Sequence, residues 1–122
     1  MSRIHVCASA ELVPGTVLVV PLGRDDEGYT REALVLRDQG GTVRAYLNLC
    51  KHLPIPLDGG SRRFLGRDGR HLECGTHGAT YRIEDGLCVA GPCEGARLDA
   101  IRVEETAEGI FLQPRSAGSD QK

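Results

Sequence analysis

The chain is cut into short pieces by 16 glycines and six prolines, and the apolar residues between them come in brief, β-branched runs. That punctuation is hard to reconcile with long helices, since glycine and proline both weaken a helix interior. It suits strands joined by tight turns. The runs at 16–22, 33–37, 42–49, 80–83, 87–90, 98–104 and 110–112 read as strands. Between them, acidic residues next to glycine at 25–28, 38–41, 68–69, 85–86, 94–95 and 108–109 supply the positive φ that antiparallel hairpins need. The expectation is an all-β, antiparallel fold. The stretch 8–12 offers at most one helical turn, with Ser9 as its cap. The small, polar stretch 115–122 reads as a flexible tail.

At 122 residues there is room for one domain, and a chain that is 40% hydrophobic and 26% charged has enough apolar surface to fold around a core. The 15 basic and 17 acidic residues nearly cancel, so bulk charge points neither to nucleic acid nor to an anionic membrane. No run has the length of a membrane span. The first residues, MSRIHVCASAELVPG, show neither the apolar stretch of a signal peptide nor a twin arginine, which leads to the expectation of a cytoplasmic protein.

Chemistry concentrates in two short segments, Cys50-Lys-His52 and Cys74-Gly-Thr-His77. Each brings one thiolate and one imidazole. Such a set fits a [2Fe–2S] cluster with both thiolates on one iron and both imidazoles on the other. A tetrahedral zinc site also takes two Cys and two His. Zinc loops usually pair ligands of one kind, so the mixed pairs favour the cluster. With Cys50 and Cys74 assigned to metal, Cys7, Cys88 and Cys93 remain, an odd number that makes a poor disulfide framework and agrees with a reducing compartment.

The segments CKHLPIPLDGG and CGTHGATYRIEDGLCVAGPC resemble the two cluster-binding loops and the proline loop of Rieske proteins. Five elements recur in order: Cys50-x-His52, Cys74-x-x-His77, Gly78, Tyr81 and Gly91-Pro92. The resemblance implies a three-layered antiparallel β fold, a sandwich or barrel with a cluster-binding subdomain at about 47–93 inserted into a basal part at about 1–46 and 94–114. It also implies that Cys50 and Cys74 ligate the iron that stays ferric, and that His52 and His77 ligate the iron that is reduced. The stretch between His52 and Cys74 is longer than compact members carry. The excess lies in SRRFLGRDGRHLE, which reads as an extended hairpin that leaves the ligands in place.

High-potential members of the family carry an extra Cys in each loop, and a Ser and a Tyr that donate hydrogen bonds to sulfur. This chain has Ile55 and Thr76 at the disulfide positions, Ala79 at the Ser position, and Tyr81 at the Tyr position. Hydrogen bonds to sulfur stabilise the more negative reduced state. One donor lost and one kept therefore places the potential in the lower or middle part of the Rieske range of about −150 to +300 mV.

Other residues have plainer readings. His71 is a surface histidine, His5 lies near a loose terminus, and Cys88 is strand core. Cys93, after Gly91-Pro92, lies nearer the metal than Cys7 or Cys88 but reads as a small buried hydrophobe. Arg62, Arg63, Arg67 and Arg70 give a basic hairpin whose simplest reading is a solvated face.

The function that follows is a soluble one-electron carrier, similar to the ferredoxin components of Rieske oxygenase systems. The expected partners are a separate reductase as donor and an oxygenase or reductase as acceptor, with the carrier itself a monomer. It is a redox component rather than a stand-alone enzyme, with no nicotinamide or flavin motif. Two alternatives stay open: a small cluster-bearing subunit of a larger reductase, resembling nitrite reductase small subunits, and a zinc-stabilised binding module.

Overall fold

The run Ala33-Leu34-Val35-Leu36 has no polar residue to mark an outer face, and in the computed structural model both of its faces are covered. The structure describes residues 3–50, 56–57, 63–66, 68–74 and 78–113. Among these are nine strands: β1 (Ile4–Cys7), β2 (Val17–Arg24), β3 (Thr30–Arg37), β4 (Val43–Leu47), β5 (His71–Glu73), β6 (Thr80–Arg82), β7 (Cys88–Ala90), β8 (Arg102–Thr106) and β9 (Gly109–Gln113). They form three antiparallel sheets of three strands, ordered β1-β9-β8, β2-β3-β4 and β5-β6-β7.

Side chains alternate across a strand, so β3 feeds two cores at once. Ala33 and Val35 pack with Val43, Ala45, Ile110 and Leu112. Leu34 and Leu36 pack with Tyr46, Leu72, Tyr81, Ile83 and Leu98. The β2-β3-β4 sheet is thus the middle of three layers. Fully buried leucines such as Leu34 and Leu72 each hold about 2–5 kcal/mol against truncation to alanine.

The expected all-β, antiparallel fold is present, and the strands expected at 16–22, 33–37, 42–49, 80–83, 87–90 and 110–112 are found with shifted ends. Three details differ from the sequence reading. The N-terminal segment is not loose: Ile4 and His5 pair with Leu112 and Phe111 of β9, and the His5 ring meets Phe111 edge-on at 5.1 Å between centroids. The strand expected at 98–104 begins only at Arg102. Leu98 is held instead by its N–H donating to the Gly86 carbonyl at 2.9 Å, and Ala100 bridges Tyr46, as the chain passes from one core to the other. The helical turn is a 3-10 turn at Ser9–Glu11, and Ser9 does not cap it. Ala8 stands at the cap, where its N–H donates to Glu11 Oε1 at 2.9 Å.

The hairpin expected before Cys74 is formed. Leu65 bridges Leu72, and the Gly66 and Glu73 N–H groups donate to the carbonyls of His71 and Phe64 at 2.9 and 2.8 Å. His71 ends up against Asp68 at 2.8 Å, half-buried on the hairpin. Arg63 and Arg70 are exposed, while Arg62 and Arg67 lie outside the described residues, as does the tail 115–122. Among the described residues no helix is long and apolar enough to cross a membrane.

Candidate metal centre

Cys50 lies three residues beyond β4 and Cys74 one residue beyond β5, so two different sheets deliver the two thiols. Both end up 3% exposed or less in the same core cluster. The Cys74 N–H donates to the Ala79 carbonyl at 2.8 Å, and the Gly78 N–H returns to the Cys74 carbonyl at 2.9 Å. Gly78 closes that return at φ 75°, where a side chain would be strained. His52 and His77 lie outside the described residues, as do Ile55 and Thr76.

The loop after Cys50 is anchored by a residue the sequence reading passed over. Asn48 is buried, and its Oδ1 accepts the Leu57 N–H at 2.8 Å while its Nδ2 donates to Glu32 Oε1 at 3.2 Å. Its N–H also donates to the Glu32 carbonyl at 2.9 Å. One side chain therefore ties β3 to both ends of the segment that contains Cys50 and His52. A lone Asn between two leucines reads as a turn residue, and no spacing rule marks it as buried.

Tyr81 sits at the centre of β6, between Leu72 of β5 and Cys88 of β7, and is fully buried. Its hydroxyl lies 3.5 Å from Cys50 Sγ on one side and 3.1 Å from Cys93 Sγ on the other. Cys93 Sγ is in turn 3.3 Å from Cys88 Sγ, whose thiol donates to the Ala90 carbonyl at 3.2 Å. Burial, with the Cys93 contact second, pushes the Cys88 thiol up to about 11. Cys88 is strand core as expected. Cys93 is half-buried, and its Sγ faces the same Tyr81 hydroxyl that lies against Cys50 Sγ.

Gly91 and Pro92 follow β7 and are exposed, and the loop they begin rests on the Cys74 loop. A Cβ at Gly91 would lie 2.7 Å from Ala79 Cα, and φ is 101° there. Only glycine fits. Ala79 itself is fully buried.

A metal group that takes thiolates fits these residues. Two buried thiols arrive from separate loops, and a buried phenol, the kind of donor that a thiolate accepts, stands at hydrogen-bond range of one of them. An antiparallel β scaffold that brings two buried thiols into one core suits a thiolate-bound metal protein. The chain belongs to the Rieske [2Fe–2S] domain family, whose model matches residues 2–107, and its cofactor is accordingly a [2Fe–2S] cluster.

Solved structures agree on the fold. The terminal oxygenase of carbazole 1,9a-dioxygenase from Novosphingobium sp. KA1 is 26% identical, with a TM-score of 0.70 over 92% of this chain and 29% of that one. The ferredoxin of carbazole 1,9a-dioxygenase from Nocardioides aromaticivorans IC177 is 24% identical, with a TM-score of 0.67 over 94% of this chain and 100% of that one. A reduced complex between oxygenase and ferredoxin in carbazole 1,9a-dioxygenase matches at 24% identity and a TM-score of 0.69, over 90% of this chain and 27% of that one. The chain thus spans under a third of the oxygenase chains it resembles. No curated protein matches it.

Proposed function

We propose that the protein is a one-electron carrier of the Rieske ferredoxin type, taking electrons from a separate reductase and passing them to an oxygenase. Cys50 and Cys74 hold the cluster as thiolates, and His52 and His77 hold it as imidazoles. The bound cluster accepts one electron and gives it up at a potential that its ligands and their hydrogen bonds set. Tyr81 donates to Cys50 Sγ and so favours the more negative reduced state. Gly78 and Gly91-Pro92 let the Cys74 loop and the proline loop approach closely enough to keep water from the thiolates. The cluster-binding part is 47–93, and the basal part is 1–46 with 94–114. The carrier is a cytoplasmic monomer.

The observation that carries this reading is the Tyr81 hydroxyl placed at Cys50 Sγ within a buried two-thiol core. The likeness to a ferredoxin over its full length and to complexes of ferredoxin with oxygenase supports the oxygenase partner. The test is low-temperature EPR of the anaerobically purified, dithionite-reduced protein, with iron, zinc and acid-labile sulfide measured on the same sample. A rhombic signal of low average g, with iron and sulfide in equal amounts, is expected. A silent sample containing zinc overturns the carrier. A cluster that co-purifies with a large reductase, and gives no turnover when mixed with a ferredoxin reductase and an oxygenase, makes the protein a reductase subunit instead.

A further inference from the structure

We propose that Cys88 and Cys93 are a reversible dithiol–disulfide pair, closed by exchange with a low-molecular-weight disulfide, and that closure withdraws the Cys93 thiol from the Tyr81 hydroxyl. The two Sγ atoms lie 3.3 Å apart. A covalent bridge of roughly 2.05 Å then needs a movement of about 1.3 Å, within reach of χ1 adjustment in a loop. The backbone is already folded back on itself: Gly95 N–H donates to the Cys88 carbonyl at 2.9 Å, Cys88 N–H to the Ala96 carbonyl at 2.7 Å, and Ala96 N–H to the Cys93 carbonyl at 2.9 Å. Gly91, at φ 101°, makes the reversal between the two cysteines. A bridge across so short a loop removes little unfolded-chain entropy, which makes it readily reducible rather than a permanent staple.

The exchange has a defined order. Cys93 is half-buried and Cys88 buried, so the Cys93 thiolate attacks the small disulfide, forming a mixed disulfide and releasing one thiolate. The Cys88 thiolate then attacks Cys93 Sγ and expels the second. Two protein thiols are oxidised, one small disulfide is reduced to two thiols, and the two protons lost from the protein go to those thiols. The Cys88 thiol, raised to about 11, makes the second step the slow one, while its position beside Cys93 makes it intramolecular.

The pair is wired to the candidate metal centre. A ligating Cys50 thiolate only accepts, so Tyr81 O–H donates to it, and the single Cys93 S–H is shared between Cys88 Sγ at 3.3 Å and Tyr81 Oη at 3.1 Å. Donors in series strengthen one another. In the disulfide Cys93 has no proton to give, Tyr81 becomes a weaker donor, and the potential falls. This coupling rests on the function proposed above, whereas the disulfide itself does not.

The test uses the cluster-loaded protein, equilibrated anaerobically in mixtures of reduced and oxidised glutathione, alkylated, and cut with trypsin. Cleavage after Arg82 and Arg97 leaves both cysteines on one peptide, 83–97. The expected result is a peptide two hydrogens lighter and unalkylated in the oxidising mixtures, returning to the doubly alkylated form in the reducing ones. Cys88→Ser should instead carry a glutathione adduct on Cys93. Double alkylation at every ratio, or an adduct on Cys93 with no bridge in the unsubstituted protein, overturns the pair. Film voltammetry should give the bridged form a lower potential than the dithiol form, with the difference abolished in Tyr81→Phe. A bridge without that difference overturns the coupling. Iron content and EPR on the same samples show separately whether the cluster is present.

Discussion

Replacing Tyr81 by phenylalanine removes one oxygen from a fully buried ring and leaves its packing against Leu72 and Cys88 in place. What is lost is the donor at 3.5 Å from Cys50 Sγ. A hydrogen bond to a charged group is worth roughly 1.5–3 kcal/mol, but both oxidation states of a thiolate-bound cluster accept it, and only the gain on reduction moves the potential. The long separation puts this bond at the weak end. Roughly 1 kcal/mol of differential stabilisation therefore remains, equivalent to a fall of about 40 mV for a one-electron couple. Protein-film voltammetry on Tyr81→Phe beside the unsubstituted protein reads this directly, with iron content as the check that the cluster is still bound. An unchanged or higher potential would refute the assignment of Tyr81 as a donor to the ligand sulfur, and with it the reasoning that places the native potential in the lower or middle Rieske range.

Cys74→Ala should lose the cluster and its visible spectrum, whereas His77→Cys should retain a cluster at a lower potential because a neutral ligand becomes an anionic one; a native spectrum in the first or an unchanged potential in the second contradicts the ligand set. Asn48→Ala strips the acceptor from the Leu57 N–H in a buried setting, so chemical denaturation should show a loss of about 1–3 kcal/mol, with iron released at lower denaturant than the unsubstituted protein. The Arg82 side chain, then the Leu87 N–H, hold the Asp85 carboxyl down from 3.8 to about 2. Its contribution is thus complete above about pH 4 and lost as pH falls towards 2. Asp85→Asn should flatten that part of the acid unfolding curve followed by far-UV circular dichroism, and an unaltered curve would count against the turn between β6 and β7 as an acid-sensitive point.

What local rules control was legible in the residues. Strands and hairpins follow from β-branched runs and from acidic-glycine turns, since side-chain alternation and positive φ act over a few residues. The cluster family was equally legible, because ligand type and spacing within a short loop are properties of the chain itself. The placement of Cys50 and Cys74 in one core needed the fold. They come from different sheets, and only the stacking of β5-β6-β7 on the middle layer joins them.

The sequence by itself determined an antiparallel β protein with a Rieske motif, including the hairpin that absorbs the long gap before Cys74. Tertiary structure alone decided that Ile4–Cys7 is a strand, because IHVC has β-branched residues but is too short a run to mark a strand until it pairs with β9. It alone buried Asn48 as the tie between Glu32 of β3 and Leu57, and it alone strung Cys50, Tyr81, Cys93 and Cys88 into one line of contacts. Such contacts join residues distant in the chain, and their formation depends on how sheets pack, which no local pattern encodes.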